Sequence, residues 1–75
     1  MAPRTEIINN RIVNSMELLA SHLKPGDIFR KLRGRTQYKF LKLMLTRNRV
    51  VCENLDTHLP EEIYFNSPVF KLIFI

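Results

Sequence analysis

The chain has a single cysteine, two glycines and four prolines in 75 residues. One cysteine excludes an intramolecular disulfide framework and fits a reducing compartment. With only Gly26 and Gly34 available, no glycine-rich loop can cradle a phosphate. The scarcity of glycine and proline, with 45% hydrophobic and 25% charged residues, excludes a low-complexity or disordered chain. No apolar run approaches the roughly 20 residues that cross a bilayer. The first residues also lack the basic, then apolar, then small order of a secretory leader. A soluble, cytoplasmic protein is expected.

Soft metal ligands are equally scarce. Cys52, His22 and His58 are the only ones, and no two have zinc-finger spacing. Neither a metal nor another cofactor is expected. Cys52 with His58 is the one formal nucleophile–base pair, but Cys52 lies between Val51 and Glu53 in a β-rich run and reads as a small core residue. Glu61 and Glu62 are adjacent in a strand and point to opposite faces, a poor acid–base pair. No enzyme is expected.

Acids are missing where the bases are densest. From Arg30 to Arg49 there are eight basic residues and no acid, so the other 55 residues carry a net −3 against a total of +5. Leu32, Tyr38, Phe40, Leu41, Leu43, Met44 and Leu45 are threaded through those charges, so this stretch must supply core and charged surface together. Glu53 to Glu62 is its opposite, with four acids and no base.

In chain order, residues 1–4 read as a disordered start. Ile8, Ile12, Met16, Leu19 and Leu23 then step by four, four, three and four, the stripe of an amphipathic helix over 5–23. Thr5 is its N-cap, and Pro25-Gly26 ends it. An alternative is a hairpin of Glu6–Ile8 with Arg11–Val13 around Asn9-Asn10, followed by a shorter helix from Asn14 with Glu17 at capping-box spacing; the single long helix is taken as the expectation. Beyond Asp27 the period becomes extended. Strands are expected at 28–32, 36–45, 49–55, 61–65 and 70–75, with Gly34 and Asn48 in the turns. Tyr38 and Phe40 have one parity and Leu41, Leu43 and Leu45 the other, which predicts a bulge or sharp bend between Phe40 and Lys42. The C-terminal Phe70–Ile75 run is apolar on both faces. It reads as core, or else as an edge that pairs with a second copy.

A helix followed by five short strands predicts an α+β, mainly β chain: an N-terminal amphipathic helix docked on a five-stranded antiparallel small barrel over 27–75, all one domain. Leu23-Lys24-Pro25-Gly26-Asp27-Ile28 resembles the turn that opens many SH3-like barrels, and Asn66-Ser67-Pro68-Val69-Phe70 is similar to the turn before their last strand. The resemblance covers residues 23–75 and implies a fold, not an activity.

The expected function is a non-catalytic binding module that contacts nucleic acid, DNA or RNA, through Arg33, Arg35, Lys39, Lys42, Arg47 and Arg49. Cations on a paired hairpin suit phosphates spaced along a backbone, and Tyr38 or an outward Phe would stack on a base. The alternative is a protein-interaction module that docks an acidic partner or forms a homodimer. No membrane contact is expected.

Overall fold

The computed structural model describes residues 4–8 and 11–74 of the chain, with the side chains of Arg4, Ile8, Arg11 and Ile12 left aside. It is an antiparallel sheet of seven strands: β1 (Arg4–Ile8), β2 (Arg11–Leu19), β3 (Ile28–Lys31), β4 (Gln37–Met44), β5 (Arg49–Asn54), β6 (Leu59–Tyr64) and β7 (Pro68–Phe74). Their order across the sheet is β1-β2-β7-β3-β4-β5-β6. The only helical pieces among the described residues are two 3₁₀ turns, Ala20–His22 and Leu45–Arg47.

The expected N-terminal helix is therefore absent, as is the shorter one from Asn14, since β2 continues to Leu19; the fold is not α+β, and in place of a five-stranded barrel there is a seven-stranded sheet. Residues 4–8 and 11–19 instead form the hairpin β1–β2, with Glu6 opposite Val13 and Ile7 opposite Ile12. The expected disordered start reaches Arg4, which belongs to β1; residues 1–3 and the Asn9-Asn10 turn lie outside the described residues.

The reason for the hairpin lies at the other end of the chain. In β7, Val69 points to one face and Phe70 and Leu72 to the other, and all three are buried. A strand apolar on both faces needs a neighbour on each side as well as cover above and below. β3 fills one side, with Ile28 opposite Leu72. β2 fills the other, from Val13 opposite Phe74 to Leu19 opposite Pro68. A helix cannot make those ladder hydrogen bonds. β-Branched Thr5, Ile7, Ile8, Ile12 and Val13 suit the extended state. With both edges of β7 occupied, the route to a homodimer through a free C-terminal edge is closed.

The sheet curls both ways. On one face β3–β7 wrap a core of Phe29, Tyr38, Phe40, Val50, Cys52, Ile63 and Val69, closed at one end by Ala20 and Leu23. Hydrogen bonds from Ala20 N–H to Ser67 C=O (2.9 Å) and from Ser21 N–H to Phe65 C=O (3.0 Å) tie the turn after β2 to the β6–β7 connection. On the opposite face Val13, Ser15, Phe70 and Leu72 form a second buried layer. There Glu6 on β1 meets Arg30 on β3, with Oε1 2.9 Å from Nε and Oε2 3.0 Å from Nη2. Three strand spacings, roughly 14 Å in a flat sheet, separate β1 from β3, so this bidentate contact requires the sheet to fold toward that face.

The change of parity inside β4 appears as the expected bulge. Phe40 is opposite Cys52, but Lys42 is opposite Val51, leaving Leu41 as the extra residue. Phe40 thus reaches the core while Lys42 stays outside, and the strand bends between them. The β4–β5 turn uses Asn48 in the left-handed region (φ 52°), and Gly34 takes φ 99° in the β3–β4 loop. β6 starts at Leu59, earlier than its alternation implied, and tolerates Pro60 because it is the last strand of the sheet.

Candidate functional site

The register sorts the basic side chains. Opposite the core face, β4, β5 and β6 carry the rows Lys39–Glu53–Pro60, Lys42–Val51–Glu62 and Met44–Arg49–Tyr64. Lys39, Lys42 and Arg49 thereby share one outer face, and they cross it diagonally toward Tyr64. Lys39 and Lys42 are exposed and have no ion-pair partner among the described residues.

At the tip of the hairpin the cations are engaged. The Arg49 guanidinium lies over the Tyr64 ring at 3.7 Å from its centroid and donates to the Arg47 carbonyl at 3.0 Å. Arg47 sits 3.6 Å from the Glu62 carboxylate, with 59% of its side chain exposed. An ion pair as open as this contributes under about 1 kcal/mol and exchanges readily for another anion.

The loop residues part company. Arg33 lines a groove of about 490 Å³ between β6 and the adjoining ends of β3 and β7, together with Leu32, Ile63, Tyr64 and Pro68. Arg35 lines a separate cavity of about 840 Å³ with Glu6, Arg30, Gln37 and Asp56. The six cations singled out in the sequence therefore occupy three places: the outer face and tip, the groove beside Tyr64, and the Glu6–Arg30 cavity.

Two aromatic assignments change. Tyr38 is buried against Phe29, with ring centroids 5.6 Å apart, and Lys31 Nζ lies 5.0 Å above its ring. It cannot serve as an exposed platform. The most exposed aromatic residue among those described is Tyr64, at 58%. In the strand expected over 61–65, alternation puts Tyr64 on the face opposite Ile63 and Phe65.

The acidic run is divided among internal partners. Glu61 accepts from Asn54 Nδ2 at 2.8 Å and lies 3.8 Å from Lys31 Nζ, Glu62 faces Arg47, and Glu53 is 3.2 Å from His58 Nδ1. Arg49 meets Tyr64 across the sheet rather than an acid.

Cys52 and His58 are not a reactive pair. Cys52 is fully buried on the core face, with Sγ 3.5 Å from the Glu61 carbonyl oxygen, whereas His58 is exposed and faces Glu53. Burial, reinforced by the Glu61 carboxylate and opposed by Lys31, pushes the Cys52 thiol up from 9.0 to about 11. The unfolded thiol ionises first as pH rises, so the native state holds the extra proton between those values. Its contribution is complete below pH 9 and is lost on the way to 11. Thiol labelling at pH 8 is expected to be slow in buffer and to follow global unfolding as urea is added. Fast labelling of the folded protein would contradict this placement.

No known protein family, curated protein or solved structure matches the chain. Function is therefore read from the geometry. Among the described residues no group of three or more His, Cys, Asp or Glu side chains is placed to hold a metal ion. No helix among them is long and apolar enough to cross a membrane.

Proposed function

We propose that this protein is a non-catalytic nucleic-acid-binding module whose contact surface is the outer face of the β4–β5 hairpin. The observation that carries this reading is the placement of Lys39 and Lys42, exposed and without an ion-pair partner among the described residues, on the same face as Arg49. Arg47 beside them is held only by an exposed carboxylate. Lys39 and Lys42 face Glu53 and Val51, two residues apart on β5, so the bulge brings them to roughly 7 Å of each other along the strand, a separation that suits successive anionic groups of a polymer better than one small anion. Arg33 extends the surface around Tyr64. Arg35 belongs to it more weakly, because its cavity contains Glu6 and Asp56.

An acidic protein partner is the second reading. It is favoured by Leu41 and Leu45, 41% and 73% exposed on the same hairpin as Lys42. Apolar side chains beside a cation suit a protein surface.

Salt-titrated binding to unrelated oligonucleotides tests the proposal. Log affinity should fall linearly with log salt, with a slope of about −3 for a single strand if four cations each neutralise a phosphate. Absence of binding to every oligonucleotide at low salt would sink it and leave the protein-partner reading.

A further inference from the structure

We infer that the groove at the free edge of β6 receives one unstacked base of a single strand, with the base lying on the ring of Tyr64. This inference rests on the proposed nucleic-acid function and names the form of nucleic acid and the residue that reads it.

The groove combines two chemistries that a nucleotide also combines. Leu32, Ile63, Pro68 and Val69 give it apolar walls, and Tyr64 gives it an aromatic one. Arg33 lines it as well, the Arg49 guanidinium lies over the Tyr64 ring, and Arg47 lies beside the lining residue Glu62. A volume of about 490 Å³ falls in the range of small-ligand sites. A paired base cannot enter, because its faces are covered by its neighbours in the duplex. An unstacked base brings an apolar ring for the walls and a phosphodiester for the cations.

Tyr64 is fixed for the task. Arg49 covers one face of the ring at 3.7 Å and is itself held by the Arg47 carbonyl. The ring nevertheless stays 58% exposed. A guanidinium on one face and a base on the other is the arrangement by which single-strand binders add stacking to phosphate contact. The diagonal of Lys39, Lys42 and Arg49 leads to this point, so a backbone following it arrives at the groove. Glu62 also lines the groove and lies 3.6 Å from the Arg47 guanidinium.

The test uses the whole chain and three probes: an oligothymidylate of about ten nucleotides, a duplex of equal length, and an abasic oligomer that keeps the phosphates without the rings. Tyr64→Leu keeps apolar bulk and loses the ring, and Tyr64→Phe keeps the ring. We expect Tyr64→Leu to weaken oligothymidylate binding about tenfold with an unchanged salt slope, and Tyr64→Phe to bind like the parent. The abasic oligomer should bind the parent about as weakly as the thymidylate binds Tyr64→Leu, and duplex affinity should not respond to either substitution. Tyr64 ring proton resonances should also move on adding the thymidylate. Equal losses for single strand and duplex, or no loss with Tyr64→Leu while the parent binds with a steep salt slope, would overturn this inference and leave the general function standing. If the parent binds no oligonucleotide at any salt, both fall together.

Discussion

Glu6→Ala and Arg30→Ala are each expected to destabilise the protein by about 3–5 kcal/mol, because each strands a mostly buried charge. Both side chains are only 17% exposed. The guanidinium lies 4.5 Å over the Phe70 ring, and Nη1 also donates to the carbonyls of Lys31 (3.0 Å) and Leu32 (3.4 Å). At about 0.05–0.15 kcal/mol per residue, a domain of this length holds roughly 4–11 kcal/mol in all. Either single substitution would remove much of that and should free the β1–β2 hairpin first, since the pair is what reaches across β2 and β7.

The double replacement Glu6→Leu with Arg30→Met removes both charges and keeps apolar bulk, so it should recover most of the loss. Urea unfolding of the parent, the singles and the double variant measures this. Single variants within about 0.5 kcal/mol of the parent would mean that the hairpin is not anchored by this pair.

Replacing Lys39 and Lys42 together by Glu is expected to lower oligonucleotide affinity at least a hundredfold at low salt. The neutral double variant with Gln should flatten the salt slope on a single strand by about 1.4, roughly 0.7 for each lost phosphate contact. Both side chains are exposed and without an ion-pair partner among the described residues, so the fold should survive. Glu at position 39 would face Glu53 across the strands, a like-charge pair costing under about 1 kcal/mol, and the Gln variant avoids it. Unfolding curves run beside the binding curves separate the two effects. An unchanged slope in the Gln variant would place the contact surface elsewhere, whatever the absolute affinity.

The candidate site was partly legible in the sequence because cations must stay near water. Strict alternation would put Lys39 and Lys42 on opposite faces; the bulge at Leu41, which the change of parity foretold, brings them onto one face with Arg49. Alternation could not show that Arg33 and Arg35, two residues apart in one loop, line different cavities, since a loop has no period to follow. Nor could it show that Tyr38 is core. Alternation puts Tyr38 on the same face as Phe40, but that this face is the core depends on Phe29 on β3, which is there to receive Tyr38. Tyr64 was readable as outward, but its partner Arg49 belongs to a neighbouring strand.

By itself the sequence determined the positions of β3, β4, β5 and β7 to within a few residues, the bulge between Phe40 and Lys42, and the left-handed turns at Asn48 and Gly34. Those are local consequences of period two and of backbone sterics. Tertiary structure alone decided the state of residues 4–19. Ile8, Ile12, Met16, Leu19 and Leu23 satisfy a helical stripe, and Val13, Ser15 and Glu17 satisfy an extended alternation, so the local pattern supports both. The choice came from β7, about fifty residues further along, which is buried on both faces and has backbone groups that only a second flanking strand can satisfy.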